Sequence, residues 1–274
     1  MNASITQMQK VADRLRLEIV KMVQRGKGSH VGSAFSCLDI LVVLYETILH
    51  VNPHHPNDPT RDYCLLSKGH AAAALYAVLA EHNWYPRSNL KNYLADDSEF
   101  IGHTNAMGVL GVEFSTGSLG HGLPVGNGLA LAAKRNHADN RIFVILSDGD
   151  CQEGSTWEAA LFTAHHKLDN VIAIIDCNGI QCFGTVPEVL NLEPLADKWR
   201  AFGCDVKEID GHDFTAIANT LSMVPFSAGR PSVVLARTVK GKGISFMENQ
   251  LKWHYQTPSA DDLAQCQQEL ESKL

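Results

Sequence analysis

The sequence predicts an α/β domain, an open and mostly parallel sheet with helices on both faces. Residues 141–146 and 171–175 are unbroken apolar runs, the pattern of strands buried on both faces. Between them, residues 154–167 read as a helix, with Trp157, Leu161 and His165 at four-residue spacing. Strand, helix and strand within about forty residues make a βαβ unit, whose strands run parallel with a right-handed crossover. Both runs stop abruptly, the first at Ser147-Asp148-Gly149 and the second at Asp176 and Asn178.

The remaining elements follow from periodicity and punctuation. Residues 1–25 read as an amphipathic helix, regular over 7–24, with charges throughout and no signal-peptide core. Helical patterns recur at 37–50 and 70–82; the proline-rich stretch 51–59 between them admits only a loop. Tyr63-Cys64-Leu65-Leu66 is a short strand, 89–94 a short helix, and the chain is irregular from there to 114. Residues 123–134 form an Ala/Leu/Gly-rich helix that must pack closely. After the βαβ unit come helix 194–202, strand 205–209, helix 214–223 and strand 232–236. From Ser259 onward a capped helix carries Asp261 and Asp262 in its first turn, where carboxylates favour the helix N-terminus. No repeat, low-complexity linker or boundary interrupts the pattern, so 1–274 is expected to be one domain.

With 45% hydrophobic and 19% charged residues the chain can bury a core. A net charge of −7 with no run of Lys or Arg excludes a nucleic-acid surface. A phosphorylated ligand must therefore be held locally. No apolar run approaches the eighteen or so residues needed to span a bilayer, so no membrane partner is expected. The seven cysteines are odd in number and scattered, which suits reduced thiols in a cytoplasmic protein.

Asp148 and Asn178 emerge at one carboxyl edge of the sheet, where open α/β folds bind ligands. A carboxylate and an amide oxygen there suit a hard cation such as Mg2+, which usually bridges to phosphate. Gly149 would let a diphosphate approach the backbone. Taken singly, Asp-Gly and Asn-Gly are also ordinary turns. The glycine ladder from Gly117 through Gly120, Gly122 and Gly126 to Gly128 lacks the G-x-G-x-x-G spacing of a nucleotide fingerprint. Close approach to a ligand and tight helix packing both explain it. His30, His70, His103 and His254 sit in Gly-flanked or irregular loops able to reach one sheet edge, where imidazoles suit hydroxyl and phosphate contacts or proton transfer. His54, His55, His82, His137, His165 and His166 read as surface or packing residues. Lys240-Gly241-Lys242-Gly243 follows a strand and would meet phosphate, without the order of a P-loop. No G-x-S-x-G elbow is present.

Asp148-Gly149 to Asn178 resembles the thiamine diphosphate signature G-D-G-x(n)-N. The flanking segments resemble transketolase, in family order along nearly the whole chain: Ser29-His30, Leu66-Ser67-Lys68-Gly69-His70, Gly102-His103, Thr116-Gly117-Ser118-Leu119-Gly120, Glu153 to Ala159, and Lys240-Gly241-Lys242-Gly243 to Trp253-His254. The resemblance implies a thiamine diphosphate-binding domain of the diphosphate-holding type. It implies that Asp148, Asn178 and the main-chain oxygen of Ile180 hold Mg2+, Ca2+ or Mn2+, and that Gly149, His70 and Lys240 lie on the diphosphate. Gly117 and Leu119 would meet the aminopyrimidine; His30, His103 and His254 would act on the sugar as catalytic and substrate-binding groups. Ser33 (substrate) and Lys68 are further carry-overs. Ser147 replaces the first Gly of the triplet, so its hydroxyl would alter the diphosphate surroundings. Thr104 and Tyr255 stand where the family commonly has Pro and Gly, beside two channel histidines.

Transketolases continue into pyrimidine-binding and C-terminal domains. The resemblance therefore implies the N-terminal subunit of a split enzyme, inactive alone and joined to a partner carrying those domains, as a heterotetramer. It would transfer a two-carbon ketol unit from a ketose, by default a pentose-pathway sugar phosphate, to an aldose. Subunits of a 2-oxo-acid dehydrogenase or deoxyxylulose-phosphate synthase, and a non-catalytic cofactor-binding subunit, are the rival readings.

Overall fold

The computed structural model describes residues 4–273. Residues 1–3, part of the expected N-terminal helix, and residue 274, the end of the C-terminal one, lie outside the described residues. Five strands form one sheet: β1 (Tyr63–Leu66), β2 (Ile142–Ser147), β3 (Val171–Cys177), β4 (Asp205–Asp210) and β5 (Ser232–Arg237). Their order is β1-β2-β3-β5-β4, with every neighbouring pair parallel. These are the five strands expected from sequence.

Alternation along each strand divides the core in two. Phe143, Ile145, Ile172, Ile174 and Val234 join one apolar cluster, with helices α1 (Ile5–Arg25), α2 (Val31–Val43), α3 (Ala72–Glu81), α8 (Phe214–Ser222) and α9 (Ala260–Glu271). Ile142, Val144, Leu146, Ala173, Ile175 and Leu235 join the other, with α4 (Gly122–Arg135), α5 (Gly154–His165) and α7 (Leu195–Ala201). Helices on both faces leave the carboxyl edge of β2, β3 and β5 as the place for loops. Edge strand β4 is half-exposed and carries Lys207 and Glu208, which discourage pairing with another chain. As expected, Ser259 and Asp262 form a capping box at the start of α9.

Several expectations change. Helix α2 begins at Val31, not residue 37, because every residue from Val31 to Val43 is buried; a helix buried all round shows no stripe. Together with a π-helical turn, Leu44–Ile48, it makes an 18-residue stretch of mean hydropathy 1.6. By length and composition this is enough to span a bilayer, contrary to expectation. Yet 83% of it is buried inside the protein, and Asp39 within it pairs with Arg16 at 2.6 Å, so it is a core helix. On α5 the buried face is Thr156, Ala159, Ala160 and Thr163, while Leu161 is 61% exposed; small residues, not the 157/161/165 row, let α5 lie close to its neighbours. A fourth change is helix α6 (Val186–Leu190), capped reciprocally by Thr185 and Glu188 with Pro187 in its first turn. That capping signal stands in the sequence, but five residues show no periodicity. The expected helix at 89–94 is a 3-10 turn, Arg87–Asn92, and the helix expected from residue 70 opens with another, Gly69–Ala71.

The glycine ladder serves mainly packing. A Cβ on Gly126 would lie 2.8 Å from Val144 Cγ2, and one on Gly122 2.8 Å from Ser67 Cα; Gly117 instead faces the site. Gly69 is tighter: a Cβ there would fall on the Thr116 hydroxyl and carbonyl, 2.7 Å from its carbonyl carbon. Because the obstacle is backbone, Gly69→Ala is expected to cost about 2–3 kcal/mol, read as a lowered denaturation midpoint at unchanged m.

Candidate active site

Asp148 and Asn178 are brought together by register. Ser147 on β2 lies opposite Asp176 on β3, so the residues just beyond each strand meet at the sheet edge. There they line a cavity of about 370 Å3. All twelve candidate residues surround it: His30, Ser33, His70, His103, Gly117, Leu119, Asp148, Gly149, Asn178, Ile180, Lys240 and His254. Sequence reasoning assigned no role to Gln181, Cys182, Phe183 and Val189, which also line it. They lie in and just beyond a loop closed by the Ile180–Thr185 bridge, a pairing of two residues that leaves no pattern.

The four histidines converge. His30 lies with its ring centroid 5.3 Å from His70, 5.8 Å from His103 and 5.0 Å from His254. His30 precedes α2 in a left-handed conformation, and its N–H donates to the His254 carbonyl at 2.9 Å, which ties the first and last site loops together. Burial, then His103, lowers the His30 pKa to about 4; burial, then Lys240, lowers His254 to about 3. Burial also holds His70 well below, and His103 below, the ordinary imidazole value. The group is therefore neutral at pH 7 and offers hydrogen bonds, not positive charge.

Positive charge comes from two buried lysines. Lys68 is fully buried and pairs with Asp176; burial opposes its charge, but Asp176 outweighs burial and raises its pKa. Lys68 lies behind the cavity, and its partner Asp176 also accepts from Ser36 Oγ at 2.6 Å and from Thr238. Asn178 Nδ2 donates to the same Ser36 oxygen at 3.2 Å, which leaves Asn178 Oδ1 on the side of the Ile180 N–H. Lys240 Nζ lies 3.2 Å from Ser33 Oγ, 3.0 Å from the Ile180 carbonyl oxygen and 2.9 Å from His254 Nδ1. Burial, then Lys68, lowers its pKa to about 8.

Two of the departures have their hydroxyls engaged by neighbouring groups, although Ser147 itself lines the cavity. The Ser147 hydroxyl lies 2.7 Å from Asp150 Oδ2, which also accepts the Ser147 N–H. Thr104 is buried and accepts the Thr116 N–H at 2.8 Å, holding the 116–120 loop. Tyr255 remains at the mouth, 60% exposed, with its ring 4.8 Å from His254.

The site fits a cation and an anionic cofactor. Among the described residues no cluster of three or more His, Cys, Asp or Glu could cage a metal alone. Asp148 is 5% exposed and accepts N–H groups from Gly149 (2.9 Å) and Gly179 (2.8 Å), while the nearby Lys68 pairs with another carboxylate, Asp176. Burial, then Asp176, raises the Asp148 pKa to about 6, the mark of a carboxylate short of positive charge. Gln181 Nε2 is buried without a partner and lies 3.6 Å from where a Cβ on Gly149 would be, a donor available to a phosphate oxygen.

A family profile described as transketolase, thiamine diphosphate binding domain, matches residues 7–273. The chain is 40% identical to an apulose-4-phosphate transketolase subunit from Actinobacillus succinogenes, over 99% of each. It is 39% identical to the 6-deoxy-6-sulfo-D-fructose transketolase subunit SqwG of a Clostridium species, over 87% of this chain and 86% of that one. The crystal structure of transketolase from Campylobacter jejuni superposes with a TM-score of 0.92 at 33% identity, covering 98% of this chain. The chain spans 43% of that longer transketolase.

Proposed function

Because the chain belongs to the transketolase thiamine diphosphate-binding family, we propose that it is the N-terminal subunit of a two-component transketolase. With a partner carrying the pyrimidine-binding and C-terminal domains, it transfers a two-carbon ketol unit from a ketose donor to an aldose acceptor. The observation that carries this reading is the gathering of Asp148, Asn178, Lys240 and four neutral histidines around one cavity at the carboxyl edge. The Actinobacillus succinogenes relative is itself named as one subunit of a transketolase and is matched over 99% of its own length, which supports the two-component arrangement.

Thiamine diphosphate, when bound, stabilises the carbanion that ketol transfer requires. The chain's own residues bind and orient it. Asp148, Asn178 Oδ1 and the Ile180 carbonyl hold Mg2+, with Ca2+ or Mn2+ as substitutes, while Gly149, His70 and Lys240 meet the diphosphate. Gly117 and Leu119 face the aminopyrimidine through their main chain. Neutral His30, His103 and His254 hydrogen-bond sugar hydroxyls and pass protons without adding charge; His254 Nδ1 already accepts from Lys240 Nζ, which leaves its Nε2–H to donate to the sugar. Ser33 adds a hydroxyl beside Lys240. Residues 1–274 act as one domain, in the cytoplasm.

Phe183 (82% exposed) lines the cavity, Leu190 (56%) follows the lining residue Val189 and Tyr255 (60%) packs on His254; these exposed apolar groups suit burial by the partner, which excludes water from the reacting carbons. Two such pairs form a heterotetramer. The donor is a sugar carrying an anionic group, a phosphorylated ketose of the pentose pathway or a modified one. The test is to assay chain and partner together with a ketose phosphate and an aldose, in Mg2+ and thiamine diphosphate. Ketol transfer by the pair and none by the chain alone is expected. Oxidation or decarboxylation of a 2-oxo acid by the pair, without ketol transfer, would overturn the reading.

A further inference from the structure

The loop bearing Lys240 is gripped on both sides by a buried constellation that sequence reasoning did not single out. Asp39 on α2 is 2% exposed and Arg16 on α1 is 4% exposed. Asp39 Oδ1 accepts from Arg16 Nη2 at 2.6 Å, and Asp39 Oδ2 lies 2.8 Å from His212 Nδ1. Each of these two partners then reaches the loop backbone. The Val239 N–H donates to His212 Nε2 at 2.8 Å, and Arg16 Nε donates to the Lys242 carbonyl at 2.9 Å. Because a backbone N–H can only donate, His212 Nε2 must be the unprotonated nitrogen. Nδ1 carries the proton and donates to Asp39.

We infer that Asp39, acting through His212 and Arg16, positions the loop that presents Lys240 to the diphosphate; this rests on the role proposed for Lys240. One carboxylate thereby fixes the backbone one residue before Lys240 and two residues after it. The same helix α2 is preceded by His30 and carries Ser33, which touches Lys240 Nζ. The Gly241 N–H donates to the Gly32 carbonyl at 2.9 Å. Asp39 therefore links the α2 end of the site to the loop opposite, and the Lys240 ammonium is held where it lies within 3.2 Å of three oxygen or nitrogen acceptors at once. These three are positioning residues and touch no substrate. Groups that orient a ligand-bearing side chain are typically worth about ten- to a hundredfold in affinity.

The test compares His212→Leu, His212→Gln, Lys240→Met and the double variant His212→Leu/Lys240→Met. Gln places an acceptor near the position of Nε2; Leu does not. In the full chain, amide exchange of residues 238–243 is expected to rise in His212→Leu and return toward wild type in His212→Gln. With the partner present, in Mg2+, His212→Leu is expected to weaken thiamine diphosphate binding about tenfold, and the double variant to bind no worse than Lys240→Met. Unchanged exchange in His212→Leu, or a loss that adds in full to that of Lys240→Met, overturns the inference. If Lys240→Met alone leaves cofactor affinity intact, the proposed role of Lys240 falls, while the exchange measurement still judges the clamp. Asp39→Asn, which keeps one acceptor, repeats the exchange experiment should His212→Leu fold poorly.

Discussion

Asp148→Ala is expected to weaken thiamine diphosphate binding by the paired subunits at least about a hundredfold in Mg2+, or about 2.7 kcal/mol. Treating the wild-type pair with EDTA should reproduce the loss. The effect is electrostatic. Asp148 is buried, and burial raises its pKa to about 6, so at pH 7 it is largely ionised in a setting that disfavours the charge. A divalent ion removes that penalty, and in turn screens the anionic diphosphate from the carboxylates of Asp148 and Asp176. Without the carboxylate, Asn178 Oδ1 and the Ile180 carbonyl are left as neutral ligands, too few for an ion that prefers about six oxygens. The variant also loses the acceptors for the Gly149 and Gly179 N–H groups, so thermal midpoints must be compared before affinities. Asp148→Asn, which keeps one acceptor, is the control for folding and should lose nearly as much affinity. Retention of wild-type affinity by Asp148→Asn, measured by fluorescence titration of the cofactor, would remove the metal from this account.

Why the fold was legible follows from where each residue is buried. Five strands could be read because β1, β2, β3 and β5 are buried and apolar, while edge strand β4 sits between two helical patterns. Helices α1 and α9 each bury one face and expose the other, and so show their period. Helix α2 lacks an exposed face, which hid its first turn, where Gly32 and Ser33 are also poor helix formers. The lining of the candidate site was legible wherever a side chain sits next to a glycine or strand end: Asp148, Asn178, Lys240 and the loop histidines. It was illegible where function depends on convergence from afar. Nothing in the spacing of Arg16, Asp39 and His212, or of Lys68 and Asp176, announces that they meet. Gln181 and Cys182 were passed over because a hard turn after Asn178 reads as connection, not as cavity wall.

Lys240 gives the second large effect, and it carries a pH signature. Burial, then Lys68, brings its pKa to about 8 in the cofactor-free chain, so it is mostly an ammonium at pH 7. An anionic diphosphate binds the charged form. Above the Asp148 titration, affinity should therefore be level from about pH 7 to 8 and fall as pH rises further, approaching tenfold per pH unit. Stability of the cofactor-free chain should move the other way. The native pKa lies below that of an unfolded lysine, so between about pH 8 and 10.5 the unfolded chain holds more protons and the lysine's contribution to stability rises with pH. Lys240→Met should bind the cofactor about ten- to a hundredfold more weakly at pH 7 and lose both trends. Lys240→Arg stays charged throughout, so whatever affinity it retains should not fall near pH 8. Binding isotherms and urea midpoints for the wild type and both variants, taken from pH 6.5 to 9.5, separate these outcomes. A wild-type affinity that is level across pH 8 would mean that the ammonium does not touch the diphosphate. The three contacts that now hold it, Ser33, His254 and the Ile180 carbonyl, would then be its purpose and not its resting place.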